Sequence, residues 1–216
     1  MNWKNDKTVW YNPFTYIAGG RALLAGLLIL LLASAIGTLS GIWFPGVLDI
    51  KLTYYGSFAI HFGTSLLVWF ISVVVLYVTA LLLSPSRVRL LDMAGTLALA
   101  RAPLLLGAFT GFFGSIKKAT DYWLYFAAEK LHGIMPVEMT ETVSPVVMHP
   151  WDWTVAITLM LVIIAVVIWM VALMFHAYRV SANLKGVRAG LSFGIGLFVA
   201  QIISNILVFI WILPLL

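Results

Sequence analysis

Five stretches of this chain, at about residues 22–43, 57–83, 93–115, 153–178 and 191–213, are almost wholly apolar over a length that limits what they can become. Stretches of about 18 to 25 apolar residues cross the roughly 30 Å hydrocarbon layer of a membrane as helices. The composition agrees, with 62% of residues hydrophobic and 10% charged, against about half and a quarter in soluble domains. The expected fold is all-α: an integral membrane bundle of five transmembrane helices, one polytopic domain over residues 1–216.

The chain has no cysteine, so packing alone must hold the bundle. Its net charge of +5 does not describe a nucleic-acid groove, because the cations flank the spans in short links, and no nucleic-acid partner is expected. The charges describe orientation instead. Lys4, Lys7, Arg21, Arg87, Arg89, Arg179, Lys185 and Arg188 fall on the side of the N-terminus and the two short links, "SPSRVRLLD" and "RVSANLKGVRAG". Only Lys51, Lys117, Lys118 and Lys130 fall on the other, beside a turn with Asp49 and the long loop 116–152. By the positive-inside rule the N-terminus is cytoplasmic and the C-terminus outside. Residues 23–35 have the apolar run and small-residue end of a signal peptide, but the preceding segment is long for one, so this stretch reads as the first span.

Two segments mix aromatic rings with charge as headgroup-level helices do. "NWKNDKTVWYNPFTYI" precedes the first span, and "DYWLYFAAEKLHG" lies in the long loop. Each reads as a short interfacial helix.

Arg101 is the anomaly. It lies about 12 Å into the third span at 1.5 Å per residue, where an arginine costs about 2.5 to 3.5 kcal/mol and must face a partner, a cavity or the bundle interior. Pro103 removes a donor and kinks the helix beside it, freeing carbonyls to meet the guanidinium. Gln201, Ser72 and Ser34 lie at similar depth and Asn205 one turn further, giving an expected buried polar layer. No span has an acidic residue in its core, which argues for helix–helix glue over a proton- or cation-coupled transport site.

Small residues at fourfold spacing mark expected packing faces: Gly107 and Gly111; Ala33, Gly37 and Gly41; Gly186, Gly190 and Gly194, with Ala200 and Ser204 following Gly196. His61 and His176 read as interface anchors at opposite ends of their spans. His132, His149, Glu138, Glu141 and Asp152 match no ligand spacing, so no metal and no cofactor is expected. Metalloprotease, serine-hydrolase, P-loop and dinucleotide signatures are lacking, and the chain reads as no enzyme.

Three stretches, "NPFTYIAGGRALLAG" at 12–26, "LLDMAGTLALARAPLLLGAF" at 90–109 and "FHAYRVSANLKGVRAGLSF" at 175–193, resemble the bacterial branch of the Yip1 domain family. The resemblance implies this bundle and topology, and a non-catalytic role in a bacterial cytoplasmic membrane. Eukaryotic members associate with prenylated Rab GTPases through a long cytosolic region. Only about 21 residues precede the first span here, so that property does not carry over. The expected function is a scaffold or adaptor whose basic links, Arg87, Arg89, Arg179, Lys185 and Arg188, meet anionic lipid, with membrane proteins or a second copy as further partners. The alternative is a small transporter, channel or permease subunit with a polar pathway around Arg101 and Pro103.

Overall fold

The computed structural model describes residues 13–54, 56–130 and 147–212. Its elements are α1 (Gly19–Ser40), α2 (Phe58–Leu83), α3 (Leu90–Leu99), α4 (Leu104–Phe109), α5 (Gly114–Lys130), α6 (Pro150–Ser181) and α7 (Gly186–Leu207). Three-residue 3-10 turns lie at Pro13–Thr15 and Thr110–Phe112, and a π turn at Val208–Ile212 closes the last helix. Five crossings are long and apolar enough to span a membrane: Gly19–Ser40, Phe58–Leu83, Leu90–Phe112, Pro150–Ser181 and Gly186–Ile210. The protein is an all-α, multi-pass membrane bundle, with span boundaries within a few residues of those read from the sequence. Residues 2–12 of the N-terminal aromatic stretch, residues 131–146 of the long loop and the end of the fifth span at 213 lie outside the described residues.

The third crossing is the axis. Of its most apolar window 61% is buried inside the bundle, against 22% to 33% for the other four. Its small residues allow this, because α3 meets α1 at backbone distance. A Cβ on Gly26 would strike the Ala98 side chain and the backbone of Ala98 and Leu99. A Cβ on Gly95 would lie 2.5 Å from the Gly19 oxygen and 2.8 Å from the Leu23 nitrogen. The two helices therefore interlock through one glycine each, and α2, α4 and α6 pack around that pair. Side-chain bonds tie the ring together: Trp69 Nε1 donates to the Ala94 oxygen at 3.1 Å, Thr96 and Ser181 hydroxyls meet at 3.1 Å, and Tyr178 OH donates to Ser192 Oγ at 3.0 Å.

The stripe on the fifth span, expected to pack within the chain or in an oligomer, lies only in part inside the bundle. A Cβ at Gly186, Gly190 or Gly194 meets nothing, so those three glycines face away from the bundle. The face turned inward carries Ala189, Ser192, Phe193, Gly196, Ala200 and Ser204, with Gly196 against Leu76 and Thr79 of α2. Two residues is about 200° round a helix, so the Gly194 and Gly196 series cannot share a face. Gly107 and Gly111 do pack, the first against Val166 and Phe44, the second against the Ser40 oxygen and Ile42.

The long-loop helix is observed as α5, which begins at Gly114, ahead of the aromatic segment that marks it in the sequence. Asp152 at the start of α6 holds it, accepting from Lys118 Nζ at 2.9 Å and Ser115 Oγ at 3.1 Å. Trp123 and Leu124, 57% and 56% exposed, face outward as an interfacial helix requires.

The glycine contacts give a contrast to measure in detergent by denaturant-induced unfolding. Gly26→Val should destabilise by about 1–3 kcal/mol through overpacking. Gly194→Ala should leave stability unchanged or raise it slightly, since it adds helix propensity in open space.

Candidate functional site

Arg101 lies at the break in the third crossing. Between α3 and α4 the bonds tighten to three-residue spacing, with Arg101 N to Ala98 O at 3.2 Å, Ala102 N to Leu99 O at 3.0 Å and Leu104 N to Arg101 O at 3.0 Å. Proline lacks the donor that would continue the α pattern, which explains the break at Pro103. The Leu99 oxygen freed by that break is taken by Ala102, not by the guanidinium. Arg101 is 1% exposed, and Nη2 donates to Ser72 Oγ at 3.5 Å. Its Nε and Nη1 find no partner.

The expected polar layer therefore separates into three groups. Arg101 and Ser72 form one. Ser34 belongs to a second, donating to Ser65 Oγ at 3.1 Å. Gln201 and Asn205 belong to a third at the long-loop end: Gln201 Nε2 donates to Asp49 Oδ2 at 2.7 Å and Asn205 Oδ1 at 3.1 Å, and Gln201 Oε1 accepts from the Leu48 nitrogen at 2.8 Å. Similar depth placed these residues in one layer, but depth does not fix the direction in which a helical side chain points.

The third group clamps a segment whose first two residues, Ile42 and Trp43, read in the sequence as the end of the first span. Residues 42–47 fold back into the bundle, with Ile42, Trp43, Phe44 and Val47 all at most 3% exposed. Gly41, at φ +77°, turns the chain out of α1, and Trp43 and Lys51 exchange backbone bonds at 2.9 and 2.7 Å. Gly46 fits beneath Gln201, Asn205 and Asp49, where a Cβ would lie within 2.9 Å of all three. Trp43, Tyr54 and His61 stack in series, with centroids 4.5 and 5.4 Å apart. His61 is thus 1% exposed and part of the core, a correction to its reading as an interface anchor. Tyr54, in the loop, has its hydroxyl pushed above the usual phenol range by burial.

The basic links come together at the opposite end. Ser84 Oγ donates to the Ala182 oxygen at 2.7 Å, joining the first short link to the second. Three adjoining hollows surround Asn183, whose φ of +50° makes the turn between α6 and α7. One of 270 Å³ holds Arg87 and Arg89, one of 480 Å³ holds Lys185 and Arg188, and one of 490 Å³ holds Arg179 and Lys185. All five expected basic residues line this surface, exposed. Sequence reasoning missed Ser86, Asp92, Ser181 and Asn183 beside them. The signal was the "SAN" turn, since asparagine tolerates positive φ better than most residues.

A further hollow of 190 Å³ between α5 and α6 is almost wholly apolar, lined by Trp123, Trp153, Ile157 and Met160 among others. Among the described residues no group of three His, Asp or Glu side chains gathers as a metal site. His132, Glu138 and Glu141 lie outside them. Compared with protein-family models, curated proteins and solved structures, the chain matches none.

Gln201 offers the direct test of the clamp. Gln201→Leu removes the bonds to the Leu48 N–H and the part-buried Asp49 carboxylate and should cost about 0.5–1.5 kcal/mol. Gln201→Glu sets a second carboxylate against Asp49. It should therefore lower the unfolding midpoint below that of wild type at neutral pH, through like-charge repulsion.

Proposed function

We propose that this protein is a non-catalytic scaffold or adaptor of the Yip1-like type in a bacterial cytoplasmic membrane, with its short-link face in the cytoplasm. That face binds anionic lipid headgroups and, through them or beside them, other membrane proteins. The observation that carries the reading is the convergence of Arg87, Arg89, Arg179, Lys185 and Arg188 on three adjoining hollows around Asn183. Positive-inside topology requires cations on this side, but it does not require them to line concavities tied together by Ser84. The resemblance of residues 12–26, 90–109 and 175–193 to the bacterial Yip1 branch supports the same reading.

A second reading, a polar pathway through the bundle, draws on Arg101, because a buried guanidinium with two unpartnered nitrogens is costly to keep without a use. It requires water to reach Ser72, and none of the four hollows described above is lined by Arg101 or Ser72.

The lipid reading is tested by native mass spectrometry or nanodisc titration of the intact protein. Each surface cation contributes on the order of 1 kcal/mol toward an anionic headgroup. Replacing Arg179, Lys185 and Arg188 together by glutamine should thus weaken phosphatidylglycerol binding by roughly fivefold per charge, with phosphatidylcholine unaffected. Equal retention of the two lipids by wild type, or no change in the triple variant, would exclude it.

A further inference from the structure

The three hollows on the short-link face differ in charge. Those holding Lys185 with Arg188 and Arg179 with Lys185 contain no acid. The hollow holding Arg87 and Arg89 also contains Asp92, together with the polar side chains of Ser86, Ser181 and Asn183. Among the described residues the one ion pair is Lys118–Asp152, so neither arginine neutralises Asp92 although all three line the same space. Among the described residues the Asp92 carboxylate accepts no side-chain hydrogen bond either; its backbone oxygen, not its side chain, accepts from the Thr96 hydroxyl.

The position of Asp92 is built by the fold. It lies in the first turn of α3, beside the start of α1, where Gly19 at φ +64° leaves room; a Cβ there would lie 3.2 Å from Asp92 Oδ1. The interlocked α1–α3 pair thus holds the carboxylate in place, while the arginines come from the extended link before α3. Next to Arg89, Leu90 and Leu91 are 50% and 52% exposed, an apolar flank at the start of the third crossing.

We propose that this hollow binds a lipid headgroup carrying both a phosphodiester and a primary ammonium, the phosphoethanolamine type. The inference rests on the lipid reading above and names the ligand class of one of its hollows. Arg87 and Arg89 hold the phosphate, for which guanidinium geometry is suited. Asp92 accepts from the ammonium. The hollow's 270 Å³ is on the scale of a headgroup, not of a whole lipid, so the chains run outside along the leucines. A choline headgroup has no N–H to donate to Asp92. A glycerol headgroup has no cation and leaves the carboxylate facing a phosphate.

The test uses the full-length protein in detergent, titrated with short-chain phosphatidylethanolamine, phosphatidylcholine and phosphatidylglycerol and read by native mass spectrometry. Wild type should retain the ethanolamine lipid about tenfold more tightly than the choline lipid. Asp92→Asn should abolish that preference at an unchanged melting temperature, and Asp92→Glu should restore it in part. Arg87→Gln with Arg89→Gln should weaken ethanolamine and choline lipids alike. A preference untouched by Asp92→Asn overturns the proposal, as does an Asp92→Glu variant no better than Asp92→Asn. Soluble glycerophosphoethanolamine should compete only weakly; competition as strong as that of the lipid overturns a lipid as the occupant. Binding of phosphatidylglycerol without ethanolamine preference removes this inference and leaves the anionic-lipid reading standing. Binding of neither lipid removes both.

Discussion

The backbone contact between α1 and α3 is what the other packing depends on, because a lipid-facing bundle gains little from burying apolar side chains that lipid already surrounds. Association in a membrane relies on close van der Waals contact and hydrogen bonds. Gly26 and Gly95 supply the close contact, and each would clash if it carried even a methyl group. The third crossing is thereby drawn to the centre, where it also meets α2 through Trp69 and α6 through Thr96. The consequence at the short-link end is positional: Asp92 and the link before it are held against the start of α1, and Ser84 ties that link to the turn at Ala182.

At the other end the bundle is closed by its own chain. The 42–47 segment occupies the space above the break in the third crossing, with Phe44 near Gly107 and Ile42 near Gly111. Gln201 and Asn205 hold it by satisfying the Leu48 nitrogen and the Asp49 carboxylate. This arrangement places Arg101 beneath a folded cap and beside Ser72. The face that carries Arg87, Arg89, Arg179, Lys185 and Arg188 is at the far end of the same helices, so the buried guanidinium lies apart from it.

Apolar length was enough to read five crossings from the sequence, and the mixture of aromatic rings with charge to read the long-loop helix, since both are local properties. The five basic residues were equally plain as charges beside spans. What sequence spacing did not give was direction. Gly186, Gly190 and Gly194 have the spacing of a packing face, as do Gly196, Ala200 and Ser204, and only the structure separates them. Depth along a helix likewise grouped Arg101 with Gln201, which bonds to Asp49 and Leu48 instead. The cap at 42–47 was missed because Ile42 and Trp43 continue the apolar run of the first span, although Gly41 before it and Gly46 within it mark a turn.

The central claim is that the bundle around Arg101 is packed and dry and that the protein acts through its short-link face. The chain has no cysteine, so a single introduced thiol reports without background. Ser72→Cys, at a side chain 0% exposed beside Arg101, should resist membrane-impermeant thiol reagents applied from either side of reconstituted vesicles. Ser86→Cys, in the hollow with Arg87 and Arg89, should label from one side. Labelling of the Ser72→Cys protein in its folded, reconstituted state would show water reaching the guanidinium and would contradict the account in favour of a pathway through the bundle.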